Sequence, residues 1–265
     1  MSNPAWEHAN AWIVFEADMN RVLAPVTDVL LDRAGEVTGK HVLDIGCGTG
    51  ALSFAIADAG ATVTASDVSG SFLASITDPR VTTLLADAQT AEWPRRYDIV
   101  VSRFGVMFFN DPAAAFANMA NALKPGARML FATWGPYEEN PWFNVPNAAA
   151  AEFFKTDAVT PNPHASGPFG LSDKNMALKM MQTTLLTEVS CETVDLNLTH
   201  PDGVGAAADL TTRIGFPARM LRENGGDENA RLELAKHVAA ALSPYVANGE
   251  TRIPARLYLY GAKRV

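Results

Sequence analysis

The stretch VLDIGCGTG (residues 42–50) limits what this chain can fold into more than any other. A short apolar run ends in Gly46, Gly48 and Gly50, and an apolar helical pattern follows at once. A strand must therefore turn sharply into a helix, and glycine supplies the backbone angles and the close approach that a Cβ would block. The free N–H groups and positive dipole end of that helix then face whatever occupies the turn. The rhythm repeats on the C-terminal side. Strands are predicted at 41–46, 62–67, 81–87, 97–104 and 127–134, with helices at 52–60, 69–76 and 112–123 between them. Ser69 and Asp111 occupy N-cap positions, and Pro112 opens its helix. Strands alternating with helices in this way imply βαβ units and a parallel sheet, an α/β doubly wound fold.

After Trp134 the alternation breaks. Helices are expected around 144–156 and 172–186, a sixth strand at 189–198, mostly helix over 203–247 and a closing strand at 255–262. The segment 6–23 reads as helical, and a second helix runs from Pro25 to about Ala34. The insertions at 135–187 and 199–250 are too long for plain connections in a compact sheet, so they are expected to form a cap. A chain of 265 residues is then a single domain. Its core falls at about 36–134, 188–198 and 253–265, and its cap comes from about 1–35, 135–187 and 199–250.

Charge narrows the partners. With 21 Lys+Arg against 29 Asp+Glu the net charge is 21 − 29 = −8, and no basic cluster offsets it. That balance argues against a nucleic-acid partner and an anionic membrane surface. No apolar run approaches the ~20 residues of a spanning helix, and the first residues lack a secretory pattern. Two cysteines, Cys47 and Cys191, make neither a disulfide scaffold nor a cysteine metal cluster, which suits a reducing cytoplasm.

Acids at the strand ends say what the glycine turn holds. Gly46-x-Gly48-x-x-Ala51 also satisfies a dinucleotide fingerprint, so an NAD-dependent dehydrogenase is one reading. Asp44, two residues before Gly46, would repel a pyrophosphate and attract a sulfonium or an ammonium. Asp67 ends the second strand, 21 residues beyond Gly46, where a carboxylate accepts from ribose hydroxyls. Asp87 and Ala88 follow the third strand, placed for an adenine amino group. Ribose, adenine and positive charge without phosphate describe S-adenosylmethionine.

At this point the chain resembles the class I S-adenosylmethionine-dependent methyltransferases, closest to the UbiE-like, type 11 kind. VLDIGCGTG, ASDVS, LLADAQT, YDIVVSRFGVMFF and LKPGARMLFATW look like its successive motifs, and the likeness covers about residues 8–134. ENPW (139–142) and SGPFGLSD (166–173) look like segments of bacterial members, with no role attached. The resemblance implies a Rossmann-like seven-stranded sheet whose last strand is antiparallel. It implies that Asp44, Gly46, Cys47 and Gly48 line the methionine end and that Asp67 holds the ribose. Val68 would pack on the adenine, Asp87 and Ala88 would meet its edge, and Ser102 and Arg103 would face the sulfur.

The acceptor side is expected at Phe104, Met107, Phe108, Phe109, Trp134 and Trp142, each of which could equally be core. Arg103 could bind a carboxylate or pair with a nearby acid, and Cys47 could be a nucleophile or a small packing residue. His164 and His200 are the candidates for a general base, with His8, His41 and His237 read as structural or solvated. No ligand spacing suggests a metal. SRFG after the fourth strand is not the NPPY-type loop of DNA amino-methyltransferases. The expected activity is methyl transfer from S-adenosylmethionine to a small, largely apolar organic acceptor, with S-adenosylhomocysteine as product. A non-methylating or regulatory protein that binds the same cofactor is the alternative.

Overall fold

Val42, Leu43, Asp44 and Ile45 are all buried, as a strand covered on both faces and paired on both edges requires. In this computed structural model, which describes residues 13–94 and 96–265, they belong to β1 (His41–Ile45). The other strands of its sheet are β2 (Thr62–Asp67), β3 (Val81–Leu85), β4 (Tyr97–Arg103), β5 (Leu123–Trp134), β6 (Leu186–Leu198) and β9 (Ile253–Arg264). A two-stranded hairpin, β7 (Val246–Ala247) and β8 (Glu250–Thr251), stands apart. The large sheet runs β3-β2-β1-β4-β5-β9-β6. β1 to β5 are mutually parallel, and β9 is antiparallel to both of its neighbours. The order reverses between β1 and β4, so the crevice where ligands bind in such sheets opens beyond Ile45 and Arg103.

Side chains alternate across β1, and each face meets its own core. Val42 joins a cluster under α1 (Glu16–Val22), α2 (Ala24–Ala34) and α3 (Ala51–Asp58). Leu43 and Ile45 join the opposite cluster, under α5 (Pro112–Ala122). The short α4 (Gly70–Ser75) starts at Ser69, whose hydroxyl accepts the Phe72 N–H, and Asp111 caps Ala114 at the start of α5.

The cap is a helical layer of α6 (Pro141–Phe154), α8 (Gly203–Arg213), α9 (Phe216–Glu223) and α10 (Glu228–Leu242), packed on one another. Its apolar side chains are continuous with the first cluster. Asn140 fastens it to the sheet. Fully buried, its side chain donates to the carbonyls of Pro136 and Arg256 and accepts the Arg256 N–H. That gives ENPW a structural role.

Several boundaries differ from expectation. Helix α7 (Lys174–Gln182) leaves the cap segment and covers the far face of the sheet, against β6 and α5. Helix α2, expected in the cap, packs on β4 and β5. The Lys124-Pro125-Gly126 turn is absorbed into β5 as a bulge opposite Tyr97–Ile99. The helical reading of residues 6–12, with His8, lies outside the described residues. Among the described residues no helix is long and apolar enough to cross a membrane.

Candidate functional site

The glycine turn is tight because a second loop lies against it. Gly46 sits at φ 62°, and a Cβ there would come within 2.7 Å of Gly105 Cα, in the loop after β4. Ser102 sews the two loops together. Its hydroxyl donates to the Ile45 carbonyl (2.7 Å) and accepts the Gly105 N–H (3.1 Å). Ser102 is therefore a buried clamp beneath the site and does not reach the cavity above it, where a contact near the sulfur was expected. Gly48 also has a left-handed φ of 55°, yet a Cβ there would meet nothing within 4 Å. Its requirement is conformational only.

Three charged side chains converge above this turn. Asp44 is fully buried, and Ser53 donates to its Oδ2 at 2.7 Å. Among the described residues its Oδ1 has no hydrogen-bond partner. Burial pushes the Asp44 carboxyl up to about 7, against the pull of Ser53 and of the Arg103 charge. Asp67 is buried too and does more than face a ligand. Its two oxygens accept the N–H groups of Gly48 (2.9 Å) and Ser69 (2.8 Å), tying the β1 turn to the β2 turn. Burial raises its pKa, opposed by those same N–H groups. Arg103 is the third. Its guanidinium donates to Thr27 Oγ1 and Asn20 Oδ1, both at 2.8 Å and both neutral. Among the described residues no carboxylate lies within ion-pair distance of it, and burial lowers its pKa. An unfilled acceptor and an unpaired cation side by side are the two complements of an amino acid's ammonium and carboxylate.

These groups line one cavity of about 230 Å³, together with Gly46, Cys47, Gly48 and Leu52. Burial pushes the Cys47 thiol up, so it stays neutral and acts as a small packing residue. The opposite wall is aromatic. Phe104 holds a left-handed φ of 66°, a costly conformation for a bulky residue. It is thereby laid flat on Trp134, with ring centroids 4.3 Å apart and 8° between planes. Phe143 meets Trp134 edge-on at 4.9 Å, and Met107, Phe108 and Trp142 complete the expected lining. Phe109 turns the other way, edge-on to Phe116 in the far core. SGPFGLSD buttresses this wall from behind. Gly167 N–H and the Ser166 hydroxyl bond the carbonyls of Met107 and Phe108, and Pro168 lines the cavity.

Other expected residues stand outside the lining. Val68 is exposed on the rim beyond Asp67. Asp87 lies past the end of β3 with its carboxylate turned onto Gln89, and Ala88 packs in the far core. The base candidates are not there either. His164 is exposed beside Met176, and the buried His200 accepts the Asp202 N–H. His200 does come together with Asp18 and Asp202, but Arg21 bridges both acids at 2.6 Å.

Sequence reasoning missed the N-terminal wall. Glu16, Met19, Asn20 and Leu23 all line the cavity. They sit at i, i+3, i+4 and i+7, one helical face, and that periodicity was readable. Leu210 and Thr211 from α8, with Ile214 just past its end, close the cavity from the cap and carried no such signal.

The donor set suits S-adenosylmethionine and resists a pyrophosphate, because Asp44 and Asp67 occupy the turn where phosphate oxygens would lie. The comparisons agree. Residues 43–131 match the type 11 methyltransferase family, described as a methyltransferase domain. A ubiquinone biosynthesis O-methyltransferase of Pseudomonas entomophila is 33% identical over 111 residues, 39% of this chain and 48% of that protein. A demethylmenaquinone methyltransferase of Renibacterium salmoninarum is 33% identical over 117 residues, 41% of this chain and 49% of its own length. The chain thus spans about half the length of the curated relatives it matches. In fold it is similar to Haemonchus contortus phosphoethanolamine N-methyltransferase 2 in complex with S-adenosyl-L-methionine, with a TM-score of 0.56 at 19% identity, over 91% of this chain and 52% of that one. Residues 43–131 therefore match a methyltransferase domain, and the chain shares its fold with a methyltransferase of known structure.

Proposed function

We propose that this chain transfers a methyl group from S-adenosylmethionine to a small, largely apolar organic acceptor. One observation carries the reading: a single cavity joins the buried Asp44 and Asp67 and the half-buried Arg103 to the aromatic wall of Phe104, Trp134 and Trp142. When bound, S-adenosylmethionine supplies the electrophilic methyl. The chain's own residues do the rest. Asp44 Oδ1 takes the ammonium and Arg103 the carboxylate of the methionine end. Asp67, held rigid by two N–H groups, keeps free lone pairs for the ribose hydroxyls. Holding nucleophile and methyl at near-attack distance supplies much of the rate, and the cap keeps water away. The quinone-pathway names of the relatives support a small acceptor, and the net charge of −8 gives a nucleic acid nothing to bind.

Calorimetry with S-adenosylmethionine and S-adenosylhomocysteine tests the cofactor half. Binding in the micromolar range, about 8 kcal/mol, is expected. Methyl incorporation into phenols, quinones, amines and thiols, beside tRNA and a protein lysate, tests the acceptor half. Label in the macromolecules overturns the small-acceptor reading, and binding with no transfer to anything selects the non-methylating alternative.

A further inference from the structure

Three carboxylates line the cavity, and two of them are committed. Asp44 is buried against Ser53, and Asp67 spans two backbone turns. The third, Glu16, comes from α1 across the mouth of the cavity. Among the described residues no Lys or Arg lies within ion-pair distance of it. Its Oε1 accepts from Asn20 Nδ2 at 3.5 Å, a long hydrogen bond one helical turn away. Asn20 in turn accepts from Arg103 at 2.8 Å, so Glu16, Asn20 and Arg103 form one polar strip along the cavity. Apart from Asp44 and Asp67, which are already committed, the described lining offers no other candidate base: it holds no histidine, the Cys47 thiol stays neutral, and Thr49 and Thr211 offer only hydroxyls.

We propose that Glu16 is the general base of this enzyme and that the acceptor is a phenol. The inference rests on the methyl-transfer reading above and adds the residue and the acceptor class. The stacked Phe104–Trp134 pair offers a flat apolar face for a ring, and the polar strip offers its hydroxyl a carboxylate to bond. The acceptor oxygen forms its bond to the methyl carbon as the carbon–sulfur bond breaks. That bonding pair stays on sulfur, giving the neutral thioether of S-adenosylhomocysteine. The hydroxyl proton passes to a Glu16 oxygen and from there to water. An amine would need no such carboxylate, since it arrives with its own lone pair once deprotonated in water.

The test is Glu16→Gln, which keeps the shape of the side chain and removes the basicity. Methyl transfer to catechol, phenol and 4-nitrophenol is followed at a pH of about 8, where phenol stays protonated and 4-nitrophenol is largely ionised. The variant should lose on the order of 100-fold in kcat with phenol and catechol, and less than about tenfold with 4-nitrophenol, which needs no base. S-adenosylhomocysteine affinity and melting temperature should not move. Equal losses on all three phenols, or a loss of cofactor affinity instead of kcat, overturn the assignment. Wild-type transfer to amines or thiols but to no phenol overturns it while leaving methyl transfer standing. Cofactor binding with transfer to no acceptor at all takes both readings down together.

Discussion

The two walls of the cavity are built by different physics. The cofactor wall is backbone and buried polarity: Gly46 pressed on Gly105, Ser102 clamping both loops, Asp67 bridging two turns. Each piece has one permitted position. The acceptor wall is side-chain packing, drawn from the loop after β4, the end of β5, α1, α6 and α8. No hydrogen bond fixes Phe104, Trp134, Trp142 and Phe143 to one another; they share area and ring geometry. A wall of the first kind serves one ligand and tolerates little change. A wall of the second kind can be repacked for another acceptor at modest cost.

The sharpest way to break that contrast is Gly46→Ala. The new methyl meets backbone on the facing loop at 2.7 Å, so no side chain can rotate away. Left-handed strain of about 1–2 kcal/mol adds to an overpacking cost of about 1–3 kcal/mol, for a total of about 2–5 kcal/mol in a urea titration. Gly48→Ala is the control. With nothing within 4 Å of its Cβ it should lose only the strain, about 1–2 kcal/mol. Equal losses would mean that the loops separate easily and that the wall is not rigid.

Asp44 gives the next largest effect, and it has two opposite signs. An unfolded aspartate titrates near 3.9, whereas burial pushes Asp44 up to about 7. The folded protein then holds a proton that the unfolded chain releases between these values. Stability of the free protein should fall as pH rises from about 4 to 7, by up to about 4 kcal/mol. Cofactor binding runs the other way, because the ammonium needs the ionised carboxylate. Below pH 7 the S-adenosylmethionine Kd should weaken about tenfold per unit, about 1.4 kcal/mol, and level off above it. Asp44→Asn should flatten both dependences, and subtracting its curves from the wild type's removes the other carboxylates. A wild-type Kd that ignores pH between 5 and 7 would take Asp44 out of the cofactor site.

On the acceptor wall, Trp134→Leu removes a stacked ring and leaves part of its volume empty. A stability loss of about 2 kcal/mol is expected, with a raised acceptor KM and a cofactor Kd changed less than about twofold. Cofactor affinity falling as far as acceptor affinity would show that the two walls act as one.

The same division governs what the sequence reveals. β1, β2 and the caps at Ser69 and Asp111 appear where the pattern places them, because a buried strand, a glycine turn and a side-chain cap are local devices. Asp44, Gly46 and Arg103 reach the cavity for the same reason. Contacts set by distant segments do not show. Nothing near Ser102 says that its hydroxyl will clamp residues 57 positions away. Nothing in α8 says that Leu210 and Thr211 will close over α1. The turn at Lys124-Pro125-Gly126 looks like a strand boundary, but tertiary pairing carries β5 through it as a bulge. The face of Glu16, Met19, Asn20 and Leu23 was legible as a period, yet a period names an apolar face and not its neighbour.

The smallest expected effect lies on the rim, where the cofactor wall ends. Val68 is 46% exposed directly beside Asp67, a large apolar side chain left in water next to the acid proposed to hold the ribose. It touches no core cluster, so Val68→Ser should leave the stability of the free protein within about 0.5 kcal/mol of wild type. If the adenine ring lies on Val68 when the ribose is held by Asp67, it covers some of that apolar surface. Covering roughly 40 Å² at about 25 cal/mol per Å² is worth about 1 kcal/mol, so the S-adenosylhomocysteine Kd should weaken about fivefold. Because the free protein is unaffected, the change cannot come from a weakened fold. An unchanged Kd would lift the adenine off Val68, towards Phe72, which lines the cavity on the α4 side. The cofactor wall would then end at Asp67, and the rim would play no part in recognition.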